Sequence, residues 1–224
     1  MTTTLEERSS TRAAPSTRRN DGFVIIETAG NPGLNRPQRV ARRLWLPMFV
    51  MALMGFGAGF VISIVRAGII SDGDPADAYT ILALRHVGAA FMFLGFASVF
   101  SAITFAVARI LGAFRTGGGE VQSLLGVSSV QTLKMPKTAK AMLALMMMGM
   151  MAIIVPVVLH LIVAAGIDND PGDLVDAEQW FVVLEGIRRF GVAIFLMGIA
   201  LGLASIVTVL RFQAVRIREA TGAG

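Results

Sequence analysis

Hydrophobic and polar residues in this chain fall into long blocks rather than short periods. Four charge-free apolar runs occupy residues 44–65, 87–108, 141–159 and 190–210. Each is closed at both ends by a charged or histidine side chain: Arg43 and Arg66, His86 and Arg109, Lys140 and His160, Arg189 and Arg211. The runs are 22, 22, 19 and 21 residues long. A helix needs about 20 residues to cross bilayer hydrocarbon. Backbone groups in lipid must be satisfied within their own segment, so runs of this length predict helices. The pattern predicts an all-α integral membrane protein with four transmembrane helices. It divides the chain into a basic N-terminal segment (1–43), a first hairpin (44–113), a loop (114–138) and a second hairpin with a short tail (139–224).

The two hairpins share a pattern. Ala67-Gly68-Ile69 and Asp74-Pro75-Ala76-Asp77 follow the first run; Ala165-Gly166-Ile167 and Asp170-Pro171-Gly172-Asp173 follow the third. Arg85, Gly88, Ala90, Gly95, Ala97 and Ile103 reappear as Arg188, Gly191, Ala193, Gly198, Ala200 and Ile206, at a constant offset of 103. A duplicated helical hairpin is expected, with a pseudo-two-fold axis along the membrane normal. Small residues on one stripe let membrane helices approach closely. Gly88 and Gly95 on the second helix, with Gly191 and Gly198 on the fourth, are therefore expected to pack those two helices together. Gly55 and Gly59 give the first helix a similar stripe. The second helix also carries Ala90, Ala97, Ser101, Thr104 and Ala108, and being small on two sides it should be central.

Charge sets the orientation. Sixteen of the 20 basic residues lie in the N-terminal segment, the middle loop with its flanks, and the C-terminal tail. The other side holds Arg66, Arg85, Arg188 and Arg189 beside nine acids. An excess of Lys and Arg marks the cytoplasmic side, so both termini are expected in the cytoplasm, with a bacterial inner membrane as the setting. The basic stretch at residues 36–43 suits anionic lipid head groups. Membrane lipids and protein partners, or further copies of the chain, are the expected partners, and no nucleic acid. The N-terminal tail is expected to be mobile. Thr17-Arg18-Arg19 and Phe23 only faintly match a twin-arginine signal, since no hydrophobic region follows directly.

Composition adds two constraints. Hydrophobic residues make up 54% of the chain and charged residues 16%, against roughly 25% charged in a soluble domain. There is no cysteine, which removes disulfides, thiolate metal sites and cysteine nucleophiles.

The candidate chemistry shares one level. His86, Arg85, Arg188, Arg189 and Glu185 lie at the outer starts of helices two and four, and Arg66 and His160 at the outer ends of helices one and three. The simple reading is interfacial: arginines reach for head groups, and Glu185 with Arg189 forms a helix-surface pair. The sharper reading is a site. His86 shares a stripe with Ala90 and Ala97, and His160 with Pro156, Ile153 and Gly149, so both should face other helices. Two histidines on neighbouring helices could ligate a haem b, with Arg85 or Arg188 near its propionates. Together with Glu185 they could instead hold a metal ion, or the pocket could take a quinone or lipid head group.

Weaker signals point elsewhere. Met146, Met147, Met148, Met150 and Met151 face all round a helix, so they fill gaps rather than converge on copper. Gly117-Gly118-Gly119 is expected to be a loop, without the Lys-Ser that a phosphate cradle needs. No run carries a mid-membrane charge, which argues against proton pumps and ion-coupled transporters. The sequence therefore favours a non-catalytic membrane subunit that assembles with or anchors a larger complex. A haem-binding electron-transfer subunit using His86 and His160 comes second, and a small transporter third.

Overall fold

The computed structural model describes residues 16–221, apart from 21, 22, 29, 31, 32, 125, 127, 128 and 169. Four long helices dominate: α1 (Arg36–Asp72), α2 (Ala78–Leu124), α3 (Lys137–Ala165) and α4 (Pro171–Thr221). All four are long and apolar enough to cross a membrane. The protein is thus an integral, multi-pass helical membrane protein. Large apolar side chains such as Met54, Phe60, Met147, Val182 and Phe190 remain exposed on the helices. In water such a surface would aggregate; in a bilayer it is the face presented to lipid.

Every helix outruns its apolar run, and local capping sets where α1 and α4 begin and marks the turn before α2. α1 starts at a reciprocal capping box: Asn35 Oδ1 accepts from Gln38 N at 3.1 Å, and Gln38 Oε1 accepts from Asn35 N at 3.1 Å. These bonds satisfy donors that a helix start leaves orphaned. The two Asp-Pro-x-Asp turns do the same work as each other. Asp74 accepts from Ala76 N, and Asp170 from Gly172 N, each at 2.9 Å. The proline then sits where a missing N–H costs nothing. Because α4 begins already at Pro171, about five turns precede its apolar run at Phe190.

α2 is the central helix. It packs against α1, α3 and α4. Half of its most apolar window is buried within the protein, against 17% for α1. The core lies between α2, α3 and α4, where Phe93, Phe100, Met142, Met146, Ile153 and Phe195 cluster. Phe100 stacks on Phe195 with ring centroids 4.6 Å apart.

The glycine stripes do not join α2 to α4, as their spacing suggested. They close each hairpin on itself. A Cβ on Gly55 would stand 2.8 Å from Gly95 N, and one on Gly95 would stand 2.7 Å from the Phe56 ring. Gly59 faces Met92, and Gly88 faces Ile62. In the second hairpin Gly191 faces Ala152 and Ile153, Gly198 faces Met146, and Gly149 lies under the Phe195 ring. Stripe periodicity identifies a close-packing face without saying which neighbour fills it, and the adjacent antiparallel helix is the one within reach. The hairpins are not arranged about a full two-fold: α2 meets α3, but α1 has no comparable interface with α4.

Two further features depart from the sequence reading. Gly117-Gly118-Gly119 lies inside α2, which runs on to Leu124. There Gly118 closes against the Gln213 amide of α4, and the Gln122 amide donates back to Gly118 O at 3.2 Å. A three-stranded antiparallel sheet also forms at this basic end, from β1 (Ser16–Asn20), β2 (Phe23–Thr28) and β3 (Val130–Leu133), in that order. Thr17-Arg18-Arg19 is part of β1. Ile25 pairs with Leu133 and Thr28 with Val130. Ile25 and Val130 are buried, and Phe23 meets Phe212 of α4 edge-on at 5.6 Å. The stretch Phe23-Val24-Ile25-Ile26 is rich in the β-branched and aromatic residues that suit strands, so part of the expected mobile tail is tied under the bundle. The remaining tail, residues 1–15, lies outside the described residues.

Candidate functional site: a buried histidine pair at the acidic end

Helix periodicity places the two histidines. His86 on α2 lies on the buried stripe of Ala90 and Ala97, and His160 on α3 follows the buried Gly149, Ile153 and Pro156. Both rings are fully buried. Their Nδ1 atoms are 2.7 Å apart, and His86 Nε2 is 3.1 Å from the Ala177 carbonyl of α4. One contact chain therefore ties three helices together.

Hydrogen-bond logic fixes the tautomers. A carbonyl can only accept, so His86 carries its proton on Nε2 and donates to Ala177. In the neutral ring Nδ1 is then an acceptor. His160 must donate to it from its own Nδ1. That leaves His160 Nε2 as a bare lone pair, and this atom is buried without a hydrogen-bond partner among the described residues.

Aromatic and charged side chains complete the enclosure. Phe181 meets both imidazoles edge-on at 5.5 Å, and Phe93 meets His160 at 5.0 Å. Arg85 lies over the Phe181 ring at 3.8 Å, and Arg188 over the Phe93 ring at 5.1 Å. The two repeat-matched arginines thus cross over: each covers a phenylalanine of the other's helix. Such cation–π contacts gain strength where water is scarce. Arg85 also pairs with Glu178 of α4. Arg188 pairs with Glu185 one turn earlier on its own helix, and Arg189 Nε lies 3.4 Å from the same carboxylate.

No family model, curated protein or solved structure matches this chain.

Of the seven residues expected at this level, the structure brings six into one neighbourhood. Arg66, on α1, makes no hydrogen bond or ion pair to the rest among the described residues, and its Nε is buried without a partner. The aspartates of this side serve the turns: Asp173, for example, accepts from Asp168 N at 3.0 Å. Sequence reasoning missed Ala177, Glu178 and Phe181. All three precede the apolar run of α4, and only an early helix start, signalled by Asp170-Pro171, would have brought them to this depth.

Metal or haem ligation can be judged against the distances. Imidazole nitrogens lie about 2.0–2.1 Å from a bound metal such as zinc. Two nitrogens 2.7 Å apart leave no room for an ion between them, so as the rings stand they bond to each other. The Glu185 carboxylate is already engaged by Arg188 and Arg189. Among the described residues no cluster of three or more histidine, aspartate or glutamate side chains has metal-ligand geometry.

Proposed function

We propose that this chain is a non-catalytic integral membrane subunit that assembles with, or anchors, a larger membrane complex. It sits in a bacterial inner membrane with both termini on the cytoplasmic side. The observation that carries this reading is how the polar groups at the acidic end are used. Histidines, arginines and glutamates bond one another across α2, α3 and α4, which is what an internal scaffold needs. The long exposed apolar faces of α1, α3 and α4 leave ample surface for other membrane helices. Blue-native electrophoresis of gently solubilised membranes tests the assignment. A stable heteromeric band containing the chain is expected; migration as the isolated chain alone would overturn it.

A duplication of one helical hairpin accounts for the matched residues. The matched glycines each close their own hairpin, which supports a common origin; the phenylalanines under the matched arginines are not at matched positions. The missing α1–α4 interface means that the copies have since diverged in packing.

One observation favours a second reading, that of a cofactor-binding subunit: the unpartnered lone pair of His160 Nε2. A haem b or metal ion would be held there by His160 and His86, with Arg85 and Arg188 beside a haem's propionates, or with Glu185 as a third metal ligand. It would require the two rings to part from their present contact. An absorption spectrum of the purified protein separates the readings, because a Soret band appears only with haem.

A further inference from the structure

A second recess lies at the other end of α2, on the basic side. It is a partly open recess whose empty space, mouth included, comes to about 860 Å³. Its walls come from the start of α1, the far ends of α2 and α4, β3 and the start of α3. They are mainly apolar: Leu111, Met142, Leu143, Val209 and Phe212 form a slot between helices. Six polar side chains interrupt it: Asn35 and Gln38 of the α1 capping box, Thr132, Arg115, Gln131 and Gln213.

Two of these carry unmet hydrogen-bonding capacity. Arg115 Nε, a donor, and Gln131 Oε1, an acceptor, are both buried and have no partner among the described residues. Arg115 forms no ion pair among those residues either. Leaving buried polar atoms unpaired is costly, and a cation beside an apolar slot lacks both a counter-charge and a filling. Gln213 is held in place by its donation to Phe114 O at 3.1 Å. Around the recess the exposed cations Lys134, Lys137, Lys140 and Arg211 outnumber the acids Glu120 and Glu27, the latter accepting from Gln131 Nε2 at 3.1 Å.

We propose that this recess binds one anionic phospholipid. An acyl chain fills the slot beside Met142 and Phe212, the headgroup phosphate accepts from Arg115, and a headgroup hydroxyl donates to Gln131. The geometry favours a lipid over a free anion because most of the volume is apolar. It favours an anionic lipid over a neutral one because the cation is the group left uncompensated. Since β3 forms part of the wall, the lipid also fixes the sheet to the bundle. None of this depends on the subunit assignment.

Native mass spectrometry of the full chain in detergent, titrated with phosphatidylglycerol or phosphatidylcholine, tests the proposal. Phosphatidylglycerol should give a retained one-to-one adduct and phosphatidylcholine should not. Arg115→Gln should weaken the adduct about fivefold, the effect of roughly one basic contact to an anionic head group. Leu143→Trp, which blocks the slot from its partly exposed rim, should abolish it, whereas Arg189→Gln, an exposed cation at the opposite end of the bundle, should change it little. Equal retention of the two lipids, an undiminished adduct in both Arg115→Gln and Leu143→Trp, or a neutral isoprenoid co-purifying in its place would each overturn the site.

Discussion

His86 and His160 meet through their Nδ1 atoms at 2.7 Å, so a single proton lies between the two rings. The pair works as a linker only while one ring donates and the other accepts. Because His86 also donates to Ala177, the donation runs from His160 on α3 through His86 on α2 to the Ala177 carbonyl of α4.

The first prediction follows from that chain. His86→Ala or His160→Ala should each lower stability by about 1–3 kcal/mol, the cost of leaving a buried polar partner unmet. Replacing both histidines by alanine should cost less than the two single changes together, since no orphaned ring nitrogen remains. Thermal unfolding in detergent, read as a double-mutant cycle, measures the coupling. Additive losses would mean that the imidazoles do not act as a pair.

Close approach of glycines gives the second prediction. Gly55→Ala would place its new methyl carbon 2.8 Å from the Gly95 backbone nitrogen, and backbone cannot rotate away as a side chain can. The expected loss is about 1–3 kcal/mol from overpacking. Gly57→Ala is the control, because nothing lies within 4 Å of its added carbon, and it should be neutral or slightly stabilising. Equal effects at positions 55 and 57 would show that α1 and α2 do not cross there.

These positions also show how much was legible in the sequence. The four spans could be read because lipid demands long uncharged runs, and no tertiary detail alters that demand. The meeting of His86 and His160 was legible because each shares a stripe with small or apolar residues at one depth. The partner of each glycine stripe was not legible, since Gly95 reads the same whether it faces Phe56 or another helix. Helix ends were hidden for a different reason. Capping by Asn35 and Asp170, and the packing of Gly118 on Gln213, carry helices well past their apolar runs. Glu178 and Ala177 entered the histidine cluster by that route. The pairing of β2 with β3 joins segments some hundred residues apart, a distance no local pattern can bridge.

Orientation is the third prediction. Residues Leu124 and Asp74 should label from opposite sides of the membrane when each is replaced by cysteine, Leu124 from the cytoplasm and Asp74 from outside. No native cysteine interferes. Leu124 is the better inner reporter because it is 82% exposed, whereas a side chain at Gly118 would collide with Gln213. Labelling of both positions by an impermeant reagent on intact cells would reject the assigned topology.

The last prediction concerns the sheet. Ile25 is the most deeply buried side chain of β2, at 2% exposed, and it pairs with Leu133 across the strand boundary. Ile25→Ala removes three carbons from a packed position, at a cost of about 2–5 kcal/mol. That loss should fall on the sheet, because the helices close on one another through glycine and aromatic contacts that Ile25 does not share. Hydrogen exchange should therefore speed up at residues 23–28 and 130–133, while the amides of α2 and α3 around the histidine pair keep their protection. A variant that loosened all four helices together would show that the sheet and the bundle form one cooperative unit, with the strands as part of the membrane fold rather than an attachment to its basic end.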